Sequence, residues 1–269
     1  MKPKLLTICS VLLLASLPAL AELIQVGGTG SASPLMQELG TAYRKQYPGD
    51  EVRVMFPPPS SGGGVRMLAS GKLDLALTGR ALKPEEQAQV GRVFLYAKTP
   101  LVFAGRGGVR AAGFTRNEIA DLYAGRLNRW DDGSAIRLIM RSPYESDTLQ
   151  LRNLSPAVDE AVRLALERPG MAYAENDLDA VELLTRTPGS LGTTTLALLK
   201  VLDNSLQIYP FDGVFPSVKT LAEGKYSLSK SIFVVAGRQP SETTKRFIEF
   251  LHTAHAKAIL QRADYLLQQ

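Results

Sequence analysis

The sequence predicts an α/β fold with a parallel sheet. Two observations lead to it. Short apolar strands alternate with amphipathic helices from residue 23 onward, and the order strand, loop, helix, strand occurs twice before residue 79, the grammar of a βαβ unit. The loops between them are built from Gly, Ser and Thr. At 269 residues, 45% apolar and 21% charged, the chain can bury a sizeable core and does not have the composition of a disordered one.

The first residues stand outside this pattern. Lys2 and Lys4 precede an apolar run from Leu5 to Leu20, and Ala19-Leu20-Ala21 supplies a small-x-small cleavage site. The run is too short for a good membrane span, so residues 1–21 are read as a signal peptide cleaved after Ala21. Cys9, the single cysteine, lies inside it, and Ile8 before it is a poor match to a lipoprotein signal. The mature chain is thus expected without thiol, disulfide or lipid anchor, which suits an oxidising compartment. Without Lys2 and Lys4, 29 basic residues face 26 acidic ones, a net charge of +3. That excess suits a protein that handles anions, and no basic stripe with interleaved aromatics points to nucleic acid.

Each element follows from local pattern. Leu23 to Val26 reads as a buried strand. Ser33 is placed as N-cap before Pro34, opening a helix with Leu35, Leu39, Ala42 and Tyr43 on one face. Glu51 to Phe56 alternates as a strand, stopped by Pro57-Pro58-Pro59. Ser60-Ser61-Gly62-Gly63-Gly64 reads as a loop, with a short helix opening at Val65, and Leu73 to Thr78 as a strand leading into Gly79-Arg80. Lys98 to Gly105 is a further strand. Thr115 and Glu118 form a capping box. Ala135 to Met140 is a strand running into Arg141, and Ser146-Asp147-Thr148 precedes another helix. Helices follow over Ala157 to Leu166 and Val181 to Leu184, a turn at Gly189 to Gly192, a buried strand over Ser231 to Ala236, and one or two helices from Glu242 to Leu267.

Three of these loops stand just before helices. A helix start carries unpaired N–H groups and partial positive charge, small residues let backbone approach a ligand, and hydroxyls add donors. Three such starts aimed at one point would bind a tetrahedral oxyanion without a metal. Arg80 and Arg141, each following a strand, would add bidentate contacts.

The residues Gly28-Thr29-Gly30-Ser31-Ala32-Ser33-Pro34-Leu35-Met36, Ser61-Gly62-Gly63-Gly64-Val65 and Gly71-Lys72-Leu73-Asp74-Leu75-Ala76 with Gly79-Arg80 carry a wider likeness. It continues through Phe114 to Ile119, Trp130 to Gly133, Asp212 to Ser217 and Gly224 to Ser229. In this order and spacing the chain resembles the periplasmic phosphate-binding proteins of ABC transporters. The resemblance implies a two-lobed type II periplasmic-binding-protein fold, with a hinge and an anion cleft between lobes. It implies a periplasmic monomer that captures inorganic phosphate, or a similar tetrahedral oxyanion, and delivers it to an inner-membrane ABC permease, with no cofactor and no metal. Carried across, it assigns Ser31, Ala32, Ser33, Ser61, Arg141, Ser146 and Thr148 to the ligand, with Thr78 and Arg80 as further donors. Lobe one is expected over residues 22–98 plus 200–269, and lobe two over 99–199.

Two positions depart from that family. Gly79 stands where phosphate-selecting relatives often carry an aspartate that accepts the ligand's proton, and Asp147 stands where the third loop usually has glycine. Asp147 has two readings: it takes over the proton-acceptor role, or it faces solvent as a helix N-terminal charge. Thr193 replaces the family's usual tyrosine after Gly192.

Other classes are weaker. His252 and His255, the two histidines, lie far in sequence from the serine loops. Neither a Gly-x-Ser-x-Gly elbow nor a Gly-Lys-Ser/Thr phosphate loop is present. The chain is therefore expected not to be an enzyme. A weak phosphatase and a non-transporting phosphate sensor or adhesion protein of the same fold are the alternatives.

Overall fold

The computed structural model describes residues 22–267, so the leader reading and Cys9 lie outside the described residues. Ten strands form one sheet: β1 (Glu22–Gly28), β2 (Asp50–Val54), β3 (Leu75–Thr78), β4 (Val93–Gly105), β5 (Arg137–Arg141), β6 (Ala172–Ala174), β7 (Ser190–Thr195), β8 (Gln207–Tyr209), β9 (Ser229–Ala236) and β10 (Leu266–Leu267). The helices are α1 (Ser33–Gln46), α2 (Ser60–Ala69), α3 (Pro84–Gln87), α4 (Arg116–Ala124), α5 (Ser146–Arg152), α6 (Pro156–Glu167), α7 (Asp177–Arg186), α8 (Leu196–Val201), α9 (Val218–Ala222), α10 (Glu242–Leu251) and α11 (Ala254–Arg262).

The strand order is β2-β1-β3-β9-β4-β7-β5-β6, with β8 and β10 also paired to β4. β1 runs parallel to β2 and β3, and β5 runs parallel to β6 and β7, as the βαβ grammar requires. The two parallel sets meet through antiparallel strands. β4 is shared: Val93 to Pro100 pair with β9, and Leu101 to Ala104 pair with β7.

Helices cover both faces. Ile24, Val26, Leu75, Leu77, Ile232 and Val234 are buried with α1, α10 and α11, whereas the alternate residues Ala76 and Val235 are buried with Val65 and Leu68 of α2. On the other side of the shared strand, Leu101, Phe103 and Met140 join α4 and α6, while Val102, Ala104 and Ile139 join α7 and α8. This switch of side at each residue is the pleat expressed as packing. Tyr209, Phe211, Tyr226 and Leu228 belong to the cluster built on Phe103.

Several element boundaries differ from the sequence reading, β4 among them, which begins at Val93 rather than Lys98; two of the differences shape the loops at the strand ends. Ser33 is not the N-cap of α1 but its first residue; a 3-10 turn, Gly30–Ala32, precedes it. Ser60 to Gly64 is not a loop but the first half of α2. Glycine is usually poor in a helix interior, but here proximity decides. A Cβ on Gly64 would lie 2.8 Å from the Gly28 Cα and 3.1 Å from the Gly27 carbonyl oxygen. Only a residue without a side chain lets α2 lie this close to β1.

Candidate functional site

The loops that leave the strand ends converge on Gly79. Its N–H donates to Ser61 Oγ at 3.0 Å. A Cβ built there would lie 2.6 Å from Lys230 Cε, 2.8 Å from Ser146 Oγ and 3.4 Å from Thr29 Oγ1. One glycine thus lies against the loop after β1, the start of α2, the start of α5 and the second residue of β9. Ser31, Ser33, Ser61, Ser146, Asp147, Thr148 and Arg141 are all buried, and of these Ser61 and Ser146 lie directly against Gly79.

Charge fills its centre. Lys230 Nζ lies 2.7 Å from Asp147 Oδ1 and 2.5 Å from Asp177 Oδ1. Arg141 Nη1 lies 3.3 Å from Asp177 Oδ1 and 3.7 Å from Asp147 Oδ2. The second Asp177 oxygen accepts from Thr29 Oγ1 at 3.1 Å, and Thr29 in turn is 3.0 Å from Ser31 Oγ. Glu145, the residue before α5, stands 3.3 Å from Arg141 Nη2. Burial works against every charge here. It pushes Asp177 up, but Lys230 and Arg141 outweigh it and hold that carboxyl well below the usual range. It pushes Lys230 down, and Asp147 and Asp177 more than restore its positive form. For Glu145 burial wins and the carboxyl is raised.

Two groups in this cluster are left over. Arg141 Nε and Nη2 find no hydrogen-bond partner among the described residues, the Glu145 contact lacking hydrogen-bond geometry, and neither does Asp147 Oδ2. A buried polar atom left in that state is costly unless something else meets it.

The hydroxyls expected to face a ligand are already engaged in part. Ser146 Oγ donates to Asp147 Oδ1 at 3.3 Å, Thr148 Oγ1 to the Arg141 carbonyl at 3.4 Å, and Thr78 Oγ1 to the Arg80 carbonyl at 2.8 Å. The Ala32 N–H is turned to the Thr29 carbonyl, and that of Ser33 to Gly30, by the 3-10 turn. Arg80 does not join the cluster: its guanidinium pairs with both Glu86 oxygens at 2.7 Å, fixing the turn before α3. Asp147 does not face solvent as a helix N-terminal charge; it is fully buried, because Lys230 supplies the counter-charge that makes burial tolerable.

Sequence reasoning missed Lys230, Asp177, Glu145 and Thr29 as members of the cluster. Asp177 sits in Asn176-Asp177-Leu178-Asp179, which reads as a capped helix start, and Asn176 does cap α7. Lys230 did carry a signal. It alternates in register with Ile232 and Val234 along β9, so a period of two puts it on the buried face.

A parallel set on either side of a shared strand, with a buried polar cluster where loops from both sets meet, defines the class: a type II periplasmic-binding-protein fold. The family description "PBP superfamily domain" matches residues 15–254, and the chain belongs to that superfamily. Among curated proteins it is similar to the phosphate-binding protein PstS of Borreliella burgdorferi, at 21% identity over 91% of this chain and 90% of the relative. Among solved structures it is similar to a candidate phosphate ABC transporter substrate-binding protein of Clostridium perfringens, solved with bound phosphate. That match has TM-score 0.79 and 16% identity over 92% of this chain and 100% of the other. The molybdate-binding protein of Azotobacter vinelandii also shares the fold, with TM-score 0.64 and 17% identity over 91% and 100% of the two chains. These structural likenesses concern the fold, which phosphate and molybdate binders share. The family is one of substrate-binding proteins rather than a class of enzymes.

Proposed function

We propose that this chain is a periplasmic substrate-binding protein that captures inorganic phosphate, or a similar tetrahedral oxyanion, for an ABC transporter. The observation that carries the reading is Arg141: a buried guanidinium at the meeting of the strand ends with two nitrogens lacking a hydrogen-bond partner among the described residues, beside the hydroxyls of Ser146 and Thr148. Those donors suit an oxyanion. The unpartnered Asp147 Oδ2 suits an oxyanion that still carries a proton, so Asp147 takes the acceptor role that Gly79 has no side chain to fill. The names of the Borreliella and Clostridium relatives point the same way.

In this reading the protein is a monomer that delivers its anion to an inner-membrane permease, needs no cofactor and has no catalytic residue. The ligand set is Ser31, Ala32, Ser33, Ser61, Thr78, Arg141, Ser146, Asp147 and Thr148. Arg80 is held by Glu86 instead. Lobe two reaches to about residue 228 rather than 199. β8 pairs with Phe103 to Gly105, and Tyr209, Phe211, Tyr226 and Leu228 share the Phe103 core.

Calorimetry on the mature chain with phosphate, sulfate and molybdate tests the proposal. Saturable binding of phosphate is expected, lost in Arg141→Ala. Asp147→Ala is expected to lose preference for phosphate over sulfate. Silence toward all three anions by the wild type and by Asp177→Asn alike, or turnover of a chromogenic phosphate ester, would overturn the reading.

A further inference from the structure

We infer that Asp177 is a built-in counter-anion of the cleft, holding the donors an incoming oxyanion needs, so that ligand binding is an exchange of one anion for another at Lys230 and Arg141. The inference rests on the proposal above that the guest is an oxyanion.

The Asp177 carboxylate is coordinated as a bound anion would be. One oxygen takes Lys230 Nζ at 2.5 Å and Arg141 Nη1 at 3.3 Å; the other accepts from the Thr29 hydroxyl at 3.1 Å. It reaches these partners from the first residue of α7, which the chain brings close to the turn after β1: a Cβ on Gly30 would lie 3.2 Å from the Asp177 Cβ. Thr29 follows β1, Lys230 lies on β9, and Arg141 ends β5, so a single carboxylate ties the two parallel sets of the sheet together.

Charge counting gives the exchange its direction. Lys230 and Arg141 are the cations of the cluster, and Asp147, Asp177 and Glu145 face them. With both aspartates ionised, the two cations are already balanced. A doubly charged guest added to this buried set would meet like charge in a medium of low effective dielectric. Removing Asp177 from Lys230 and Arg141 releases two cations and the Thr29 hydroxyl together. Because Asp177 and Arg141 both belong to the β5–β6 side, and Lys230 and Thr29 to the other, separating the two sides breaks the Lys230 and Thr29 contacts without any change in α7 itself, and the remaining Arg141 contact is the one the guest displaces directly.

The test measures inorganic phosphate binding by calorimetry on the mature wild-type chain, on Asp177→Asn, which keeps the shape and removes the charge, and on Asp177→Ser as a second variant. Circular dichroism verifies that each is folded. Both variants are expected to bind phosphate about tenfold or more tightly than wild type. Phosphate binding by the variants but not by the wild type also supports the inference, the counter-anion then being too tightly held for phosphate to displace. Wild-type binding with equal or weaker binding in both variants overturns the inference and leaves the phosphate reading intact. If none of the three binds phosphate, sulfate or molybdate, the functional reading fails and the exchange fails with it.

Discussion

Lys230 occupies the space that a side chain on residue 79 would need: its Cε stands 2.6 Å from the position of a Gly79 Cβ. The glycine and the lysine are therefore one feature. At residue 79 this chain has no side chain, and the stem of a buried lysine passes through instead. Lys230 cannot simply swing aside, since its Nζ is pinned between Asp147 and Asp177. Gly79→Ala is expected to cost about 1–3 kcal/mol in urea unfolding, the range for overpacking a tight site. An unchanged midpoint would mean that the lysine yields freely.

Removing the cation has a larger effect. Lys230→Met leaves Asp147 and Asp177 buried with only Arg141 to balance them. A loss of about 3–5 kcal/mol is expected, since breaking a buried pair strands an uncompensated charge. The triple variant Lys230→Met, Asp147→Asn, Asp177→Asn should recover much of it, because the stranded charges go with their partner. Equal losses in the single and triple variants would show that the methionine's packing, not charge, is responsible.

The acid side of the stability curve should report Asp177. Its folded-state carboxyl is held low, so the unfolded chain takes up protons first, below an unfolded value of about 3.9. Its stabilisation is therefore complete above that pH and is lost as pH falls through the folded value. Glu145 has the opposite sign: burial raises its carboxyl, so it costs stability as pH rises above about 4.3 and into its folded range. Urea titrations from pH 3 to 7 should show Asp177→Asn with a shallower acid loss than wild type, and Glu145→Gln with a smaller decline toward neutral pH. Identical slopes in all three proteins would contradict both assignments.

Arg80 provides a contrast with Arg141. Its salt bridge to Glu86 is half-buried and holds the turn before α3, so Arg80→Ala should lower stability by about 1 kcal/mol and change phosphate affinity less than about threefold. A loss of affinity comparable to that in Arg141→Ala would return Arg80 to the ligand set.

Gly64→Ala should be damaging for a reason of distance alone. The added methyl would meet the backbone of Gly27 and Gly28, which has no rotamer to change. A loss of about 1–3 kcal/mol is expected, with weaker anion binding, because pushing α2 from β1 also moves Ser61 off Gly79. Normal stability in this variant would mean the helix shifts at no cost.

Much of the fold was legible because its rules are local. Short apolar runs gave β1 and β9, alternation gave β2, Thr115 and Glu118 gave the start of α4, and βαβ grammar gave the parallel set at β1. The site was legible only where chemistry and chain order coincide. Ser146, Asp147 and Thr148 are consecutive, and Arg141 ends the strand before them, so the sequence brings them together on its own. Asp177 and Lys230 are 53 residues apart and are joined only because the start of α7 comes to rest against the central strand β9, which no window of sequence contains. Arg80 misled for a related reason: a strand-end arginine looks the same whether it meets a ligand or, six residues on, Glu86.

The sharing of β4 has a mechanical consequence. Its partner changes from β9 to β7 between Pro100 and Leu101, so the handover is a single peptide unit wide. Leu101 is held there by the segment before β9, its N–H donating to the Leu228 carbonyl and its own carbonyl accepting from the Tyr226 hydroxyl. The chain has no slack at this point to fold or slide. Relative rotation of the two sides falls on two crossings, Pro100–Leu101 in β4 and Leu228–Ser229 before β9, and the Leu101–Leu228 and Tyr226–Leu101 hydrogen bonds lash them side by side into one narrow pivot.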